Sequence, residues 1–239
     1  GIKFRRRTIP TDMQFNPGPN SPLDPDADGK ATYKETIPAI YGNYTYEVKQ
    51  LEAELGLRLE YVDLQYQVDP NHNTYSSDGY DYFQPFPNAR VTFNLDQRNK
   101  LSAFYNRRVD RPDEGDIRIF PKYDDAEIIK VGNPGLSPQF TNTFEIGYKN
   151  VWEQGYYYGA VYHKISDGTI TRIGTTVDDT NIIYNISQNA GKSYNSGIEM
   201  VLTQDLSDKV AMNLNVNGYY NQIEAFTVVN KYPVENTFT

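Results

Sequence analysis

Residues 210–217 read VAMNLNVN, and this stretch decides the fold. In an extended chain successive side chains point to opposite sides, so Val210, Met212, Leu214 and Val216 share one face. Ala211, Asn213, Asn215 and Asn217 share the other. The same period recurs outward from here. Ile198, Met200 and Leu202 oppose Glu199 and Thr203; Phe144, Ile146 and Tyr148 oppose Thr143, Glu145 and Lys149. Val91, Phe93 and Leu95 oppose Arg90, Thr92 and Asn94, and Leu55, Leu57, Leu59 and Tyr61 oppose Glu54, Arg58 and Glu60. The pattern predicts nine strands, near 2–8, 36–48, 54–66, 88–95, 99–108, 140–150, 156–166, 192–205 and 209–222, with a further hairpin inside 168–190.

The connections alternate in length. Tight joins fall near Glu47–Glu52, Asp96–Asn99, Trp152–Gly155 and Asp205–Asp208, whereas long polar loops are expected near 9–33, 67–87, 109–138 and 167–191. Short turns at one end of antiparallel strands and long loops at the other are the layout of an outer-membrane barrel. A sandwich explains the alternation equally well, with its apolar face in a core. It gives no reason for loop lengths to segregate. The fold class read from the sequence is therefore all-β, an antiparallel transmembrane β-barrel section of about nine to ten strands, with residues 1–239 as one partial barrel domain. The chain opens at Gly1 on a predicted strand and stops at Thr239 in an extended run, which reads as a section cut at both ends.

Composition agrees with this. The 21 Tyr and 11 Phe against 1 Trp suit strands, and tyrosine suits a membrane interface, where an apolar ring and a polar tip are both satisfied. No run approaches the ~18 apolar residues of a membrane helix. Barrel strands spread their apolar residues over alternate positions, so a mean hydropathy of −0.68 fits either solvent. A net charge of −8 and a pI near 4.8 argue against nucleic acid as partner. The absence of cysteine excludes disulfides and thiolate chemistry.

Residues 99–149 carry a more specific signal. A strand ends in Arg108, Arg111 and Pro112; a long loop leads to Asn133, Pro134, Leu136 and Pro138; Glu145 and Gly147 follow in the next strand. The prolines cannot donate to a ladder, so NPGLSP should be a rigid approach to a strand. This combination resembles the barrel of TonB-dependent outer-membrane receptors, and weaker echoes at 55–61, 167–173 and 196–200 extend the likeness over most of the chain. The resemblance implies a bacterial outer-membrane location and a section of a barrel of about 22 strands, without the plug. It also implies lipid, TonB and the plug domain as partners of the full receptor, and import of a metal chelate, cofactor or glycan.

Candidate sites follow from residue type and spacing. Asp24, Asp26, Asp28, Gly29 and Glu35 match D-x-D-x-D-G-x5-E, a calcium-loop spacing in which Lys30 gives its carbonyl and Glu35 closes the shell. Structural Ca²⁺ is thus one expectation, and an acidic proline-rich turn is the other. Tyr75, Tyr80 and Tyr82, with Phe83, are expected in a loop that stacks a ligand or packs over the barrel mouth. Arg107, Arg108 and Arg111 are expected either to pair with Asp110, Asp113, Glu114 or Asp116 or to contact an anionic ligand. Glu54, Arg58, Glu60, Glu145 and Lys149 are expected to face the lumen. His72 and His163 have no nucleophile or metal partner nearby in sequence, and no hydrolase or phosphate-loop motif is present, so no enzymatic activity is expected. Two other readings remain: a secreted soluble β-domain that binds carbohydrate through its tyrosine-rich loops, and a complete small barrel with a structural or adhesive role.

Overall fold

The computed structural model describes every residue except 15, 17, 20–27, 73–75, 121, 124–127, 177–182, 225, 229–235 and 239. The nine expected strands form one antiparallel sheet. In chain order they are β1 (Ile2–Met13), β2 (Gly29–Val48), β3 (Leu51–Val68), β4 (Asp78–Asn94), β5 (Asn99–Asp110), β8 (Gln139–Trp152), β9 (Gly155–Asp167), β12 (Ser193–Ser207) and β13 (Val210–Ile223). Sheet order follows chain order, and β1 and β13 form its two edges without pairing to each other. A complete small barrel requires that closure, so this reading does not hold for the sheet as it stands.

The long connection after β5 carries a one-turn helix α1 (Glu114–Ile117) and strands β6 (Lys122–Tyr123) and β7 (Ile128–Val131). The expected hairpin inside 168–190 is β10 (Ile170–Thr176) and β11 (Ile183–Asn189). Together they make a separate four-stranded sheet in the order β10-β11-β7-β6, in which β7 pairs β11 in parallel. Phe226–Val228 and Asn236–Phe238 form a further short pairing, β14 with β15.

Four strands are clearly longer than their sequence pattern suggested. β1 runs on to Met13, and β2, β3 and β4 have 20, 18 and 17 residues, against about 9–11 for one crossing of a bilayer. The loops read at 9–33 and 67–87 therefore shrink to 14–28 and 69–77. The loop expected at 67–87 has two prolines near its end. Here Pro85 and Pro87 lie opposite Leu59 and Leu57 of β3, and pairing of β4 with β5 stops just below them, at Asn88–Asn106. A residue with no N–H is tolerated in a strand where the ladder on one side is missing. Above that point Phe140 closes the gap, edge-on to Tyr82 at 5.3 Å and stacked with Phe86 at 6.3 Å, under the Arg107 guanidinium.

The two faces of β1–β4 change character along their length. On one face a cross-strand row runs Phe4–Pro38–Tyr61–Phe83, given by the pairs Phe4–Pro38 and Tyr61–Phe83 and the β2–β3 register. On the turn side of this row the face carries Ile40, Tyr44, Tyr46, Leu55, Leu57, Val91 and Phe93, all exposed. Farther along the sheet Leu101, Phe144, Ile146, Tyr148, Val161, Ile198, Met200, Met212 and Leu214 continue it, also exposed. From Leu51 to Tyr61 this is about 10 residues, or roughly 25 Å of height once the strands tilt, which matches a hydrocarbon layer. On the loop side of the row the same face turns polar: Arg6–Thr36–Asp63–Asp81, then Thr8–Lys34–Gln65–Gly79.

The inner face inverts at the same level. Toward the turns it is polar; above the aromatic row it carries Ala31, Tyr33, Ile37, Val62, Leu64, Tyr66 and Val68, all buried. Ile117, Ile119, Phe120 and Leu136 from the loop after β5 pack onto these side chains as one apolar cluster. The sheet thus leaves the membrane and becomes the wall of a small water-soluble core.

Candidate functional site

The polar inner wall and this core meet at a charged belt. Lys3, Arg5 and Arg7 alternate along β1 toward the inner face, and Arg7 lies opposite Glu35 of β2. The Glu35 carboxylate is buried and accepts from both neighbours, from Arg5 at 2.8 Å and from Arg7 at 2.7 Å. Arg7 also donates to the Tyr33 hydroxyl at 3.1 Å. Two inner-facing rows farther into the lumen, Glu60 of β3 is likewise buried and ion-paired to Arg58 and to Arg111, the first residue after β5. Tyr82 links this pair to the sheet: its hydroxyl donates to Glu60 at 3.2 Å and accepts from Arg111 Nε at 2.8 Å.

Two carboxylates thus sit among Arg5, Arg7, Arg58 and Arg111, and Arg5, Arg7 and Arg58 each keep a third or more of the side chain exposed toward the lumen. The belt holds β1, β2, β3 and the loop together and leaves a positive inner surface on a chain that is acidic overall. Breaking one such buried pair costs about 3–5 kcal/mol, because the remaining charge stays desolvated. Burial also pushes the phenols of Tyr33 and Tyr66, just above the belt, up to about 12. Tyr66 accepts from the Ile119 backbone N–H at 3.3 Å, tying the loop to β3.

Several sequence expectations change here. Lys30 and Glu35 lie on opposite faces of one strand. Five extended residues separate them by roughly 16 Å, whereas calcium ligands converge within about 2.6 Å of the ion. Glu35 is moreover occupied by two arginines, and the Lys30 carbonyl accepts from the Asp69 N–H at 3.0 Å. A shell closed by Glu35 with Lys30 does not form; Asp24 and Asp26 lie outside the described residues, and Asp28 precedes β2. No group of three metal-ligating side chains converges among the described residues. Tyr80 and Tyr82 are strand residues on the inner face, stacked at 6.1 Å, and not loop residues; Tyr75 lies outside the described residues.

The remaining candidates separate by surroundings. Arg108 is exposed and 3.5 Å from Asp110, as the pairing expectation had it, whereas Arg111 turns inward to Glu60. Glu54, Arg58, Glu60, Glu145 and Lys149 all lie on the face opposite the apolar band. There Glu145 accepts from Tyr158 at 2.7 Å and Lys149 sits over the Tyr156 ring at 4.7 Å. Arg5 and Arg7 were missed, although KFRRR shows them at period two beside Lys3. The NPGLSP segment is the irregular approach to β8 that its prolines predicted. Asn133 holds it, accepting from the Gly135 N–H at 3.0 Å and donating to Gln188 at 2.9 Å.

An apolar outer band, a charged inner wall and loops at one end describe a membrane barrel. The whole chain, residues 1–239, matches the outer membrane protein beta-barrel family. The chain belongs to this family. Its place is the bacterial outer membrane, and the exposed apolar band accordingly faces lipid, which removes the reading as a secreted soluble domain. Solved structures share the fold. The copper transporter OprC superimposes with a TM-score of 0.62 at 13% identity, over 82% of this chain and 30% of that one. The FrpB iron transporter of Neisseria meningitidis (F5-1 variant) gives 0.58 at 14%, over 93% and 33%. The siderophore receptor PirA of Pseudomonas aeruginosa gives 0.55 at 11%, over 82% and 44%. The chain therefore spans between about a third and under a half of these structures, and the receptor-barrel likeness read from residues 99–149 holds at the level of fold. Among curated proteins none matches the chain.

Proposed function

We propose that this family member is a section of a TonB-dependent receptor barrel, which imports a scarce nutrient across the outer membrane and performs no covalent chemistry. The observation that supports it best is the inversion of both sheet faces at one level, in a chain with the fold of receptor barrels. Inside the membrane the wall is polar and charged; beyond it, a folded loop core stands over the lumen. The full receptor would capture its ligand at these loops and pass it along the inner wall when an inner-membrane motor, acting through TonB, displaces the plug.

The belt suggests which nutrients fit. Arg5, Arg7 and Arg58 present partly exposed guanidinium groups to the lumen, so an anionic metal chelate is favoured over a neutral cofactor or glycan by charge complementarity. The test is deletion of the full-length gene in the source bacterium, with uptake of radiolabelled ferric chelate, cobalamin and oligosaccharide measured under limitation. Loss of uptake of one ligand, restored by the wild-type gene, is expected. Unchanged uptake of every ligand overturns the reading in favour of a structural or adhesive barrel.

A further inference from the structure

The four-stranded extracellular sheet has two unlike faces. Ile129, Val131 and Ile186 point to one side and are buried. On the other side register places Lys130 opposite Asn185 and Arg172 opposite Ser187, all on one face because Asn185 and Ser187 are two apart. Helix α1 covers this face and leaves a cavity of about 290 Å³, lined among others by Asp113, Asp116, Arg118, Lys130, Arg172 and Asn185. Gly132 allows the close approach: a Cβ there would meet the Arg118 carbonyl oxygen at 2.3 Å.

Asp113 and Asp116 form the capping box of α1, each carboxylate accepting the other's backbone N–H, at 3.0 and 3.1 Å. Arg118 lies 3.6 Å from Glu114. Arg172 is exposed and has no ion pair among the described residues. The cleft therefore offers cations to an anionic group, and carboxylate oxygens to hydroxyl donors beside it.

We propose that this cleft is a binding site for a small hydroxylated organic anion of about the size of one sugar-acid unit. The carboxylate of such a ligand pairs with Arg172 and Arg118, and its hydroxyls donate to Asp113 and Asp116. The site deepens the proposed function by adding an extracellular capture point on the loops, apart from the arginine belt of the lumen. It rests on that reading only for the side of the membrane it faces.

The experiment is calorimetric titration of the full-length receptor in detergent with D-glucuronate, D-glucose and inorganic phosphate. Glucuronate binding that weakens as sodium chloride is raised, with no detectable glucose or phosphate binding, is expected. Arg172→Gln should weaken glucuronate at least about tenfold and Arg172→Lys less, since Lys keeps the charge without the fork. Heat-modifiable gel mobility of each variant reports whether the barrel still folds. Equal binding of glucose or phosphate, no glucuronate binding, or a folded Arg172→Gln protein that binds as tightly as wild type overturns the site. Failure of the site with uptake intact leaves the import reading standing; binding that persists in a receptor whose deletion changes no uptake does the reverse.

Discussion

The two halves of β2–β4 are built from the same strands with opposite polarity. On the turn side of Tyr61, Leu55, Leu57 and Leu59 point outward while Glu54, Arg58 and Glu60 point inward. On the loop side, Asp63, Gln65 and Gln67 point outward while Val62, Leu64, Tyr66 and Val68 point inward and are buried. The alternation never slips, and the register with both neighbours is unshifted, although the β2–β3 ladder skips Ile37 and Pro38. What changes is the solvent on each side: lipid outside and water inside for one half, water outside and a packed loop inside for the other. Strand polarity is thus a local record of surroundings and not a property of the whole strand.

Substitutions at matched positions test this contrast. The largest effect is expected inside the upper core: Leu64→Ala should cost about 2–5 kcal/mol by opening a cavity under Ile117 and Ile119, read as a fall in loop protection by hydrogen exchange. Leu57→Arg, on the outer face below the aromatic row, should cost ~2–4 kcal/mol in barrel stability near the bilayer midplane, measured by urea unfolding in lipid vesicles. Gln65→Arg, on the same face above the row, should stay within about 0.5 kcal/mol. Equal penalties at Leu57 and Gln65 would show that the membrane boundary is misplaced.

The belt between the halves gives a smaller, more local readout. Arg111→Gln should leave barrel assembly intact and free the loop after β5, because Arg58 still neutralises Glu60. The expected cost is about 1.5–3 kcal/mol for one charged hydrogen bond, and protease cutting between 111 and 138 would report it. Equal cutting of wild type and variant would mean that the apolar cluster alone holds the loop.

The smallest effects come from titration, and they run in opposite directions at the two ends. Tyr33 and Tyr66 hold their protons up to about 12 in the folded core. Stability from that burial is complete below the ordinary phenol range near 10 and is lost as pH rises toward 12. At the turn end, Asp96 accepts from the Asn99 side-chain amide at 2.7 Å and from the Arg98 and Asn99 backbone N–H groups at 2.8 and 2.9 Å, which holds its carboxyl below the usual carboxylate range. Its contribution is present above that range and is lost as pH falls. Alkali should therefore loosen the loop core first and acid the 95–98 turn, seen as residue-resolved exchange at each pH.

Much of this was legible in single residues. VAMNLNVN, LEAELGLRLEY and their counterparts set every strand of the large sheet, because period two survives whichever face meets lipid. The tight turns were legible because only two to four residues separate apolar runs there. Tyr80 and Tyr82 are strand residues in a stretch whose polar, Asp-rich sequence reads as a loop, and only the missing ladder to β5 shows why the strand tolerates Pro85 and Pro87. Glu35 was misread because its spacing from Asp24 matched a calcium loop, while Arg5 and Arg7 come from another strand.

The strands of the large sheet, their two faces and the membrane class follow from short-range alternation and turn length. Where the apolar band ends and what the charged residues do follow from packing in three dimensions. Arg111 and Tyr82 are 29 positions apart, and their meeting over Glu60 depends on how a loop folds back onto a wall. No periodicity in the chain encodes that contact; the physical reason is that burial and pairing are set by neighbours in space, and alternation reports only neighbours along the strand.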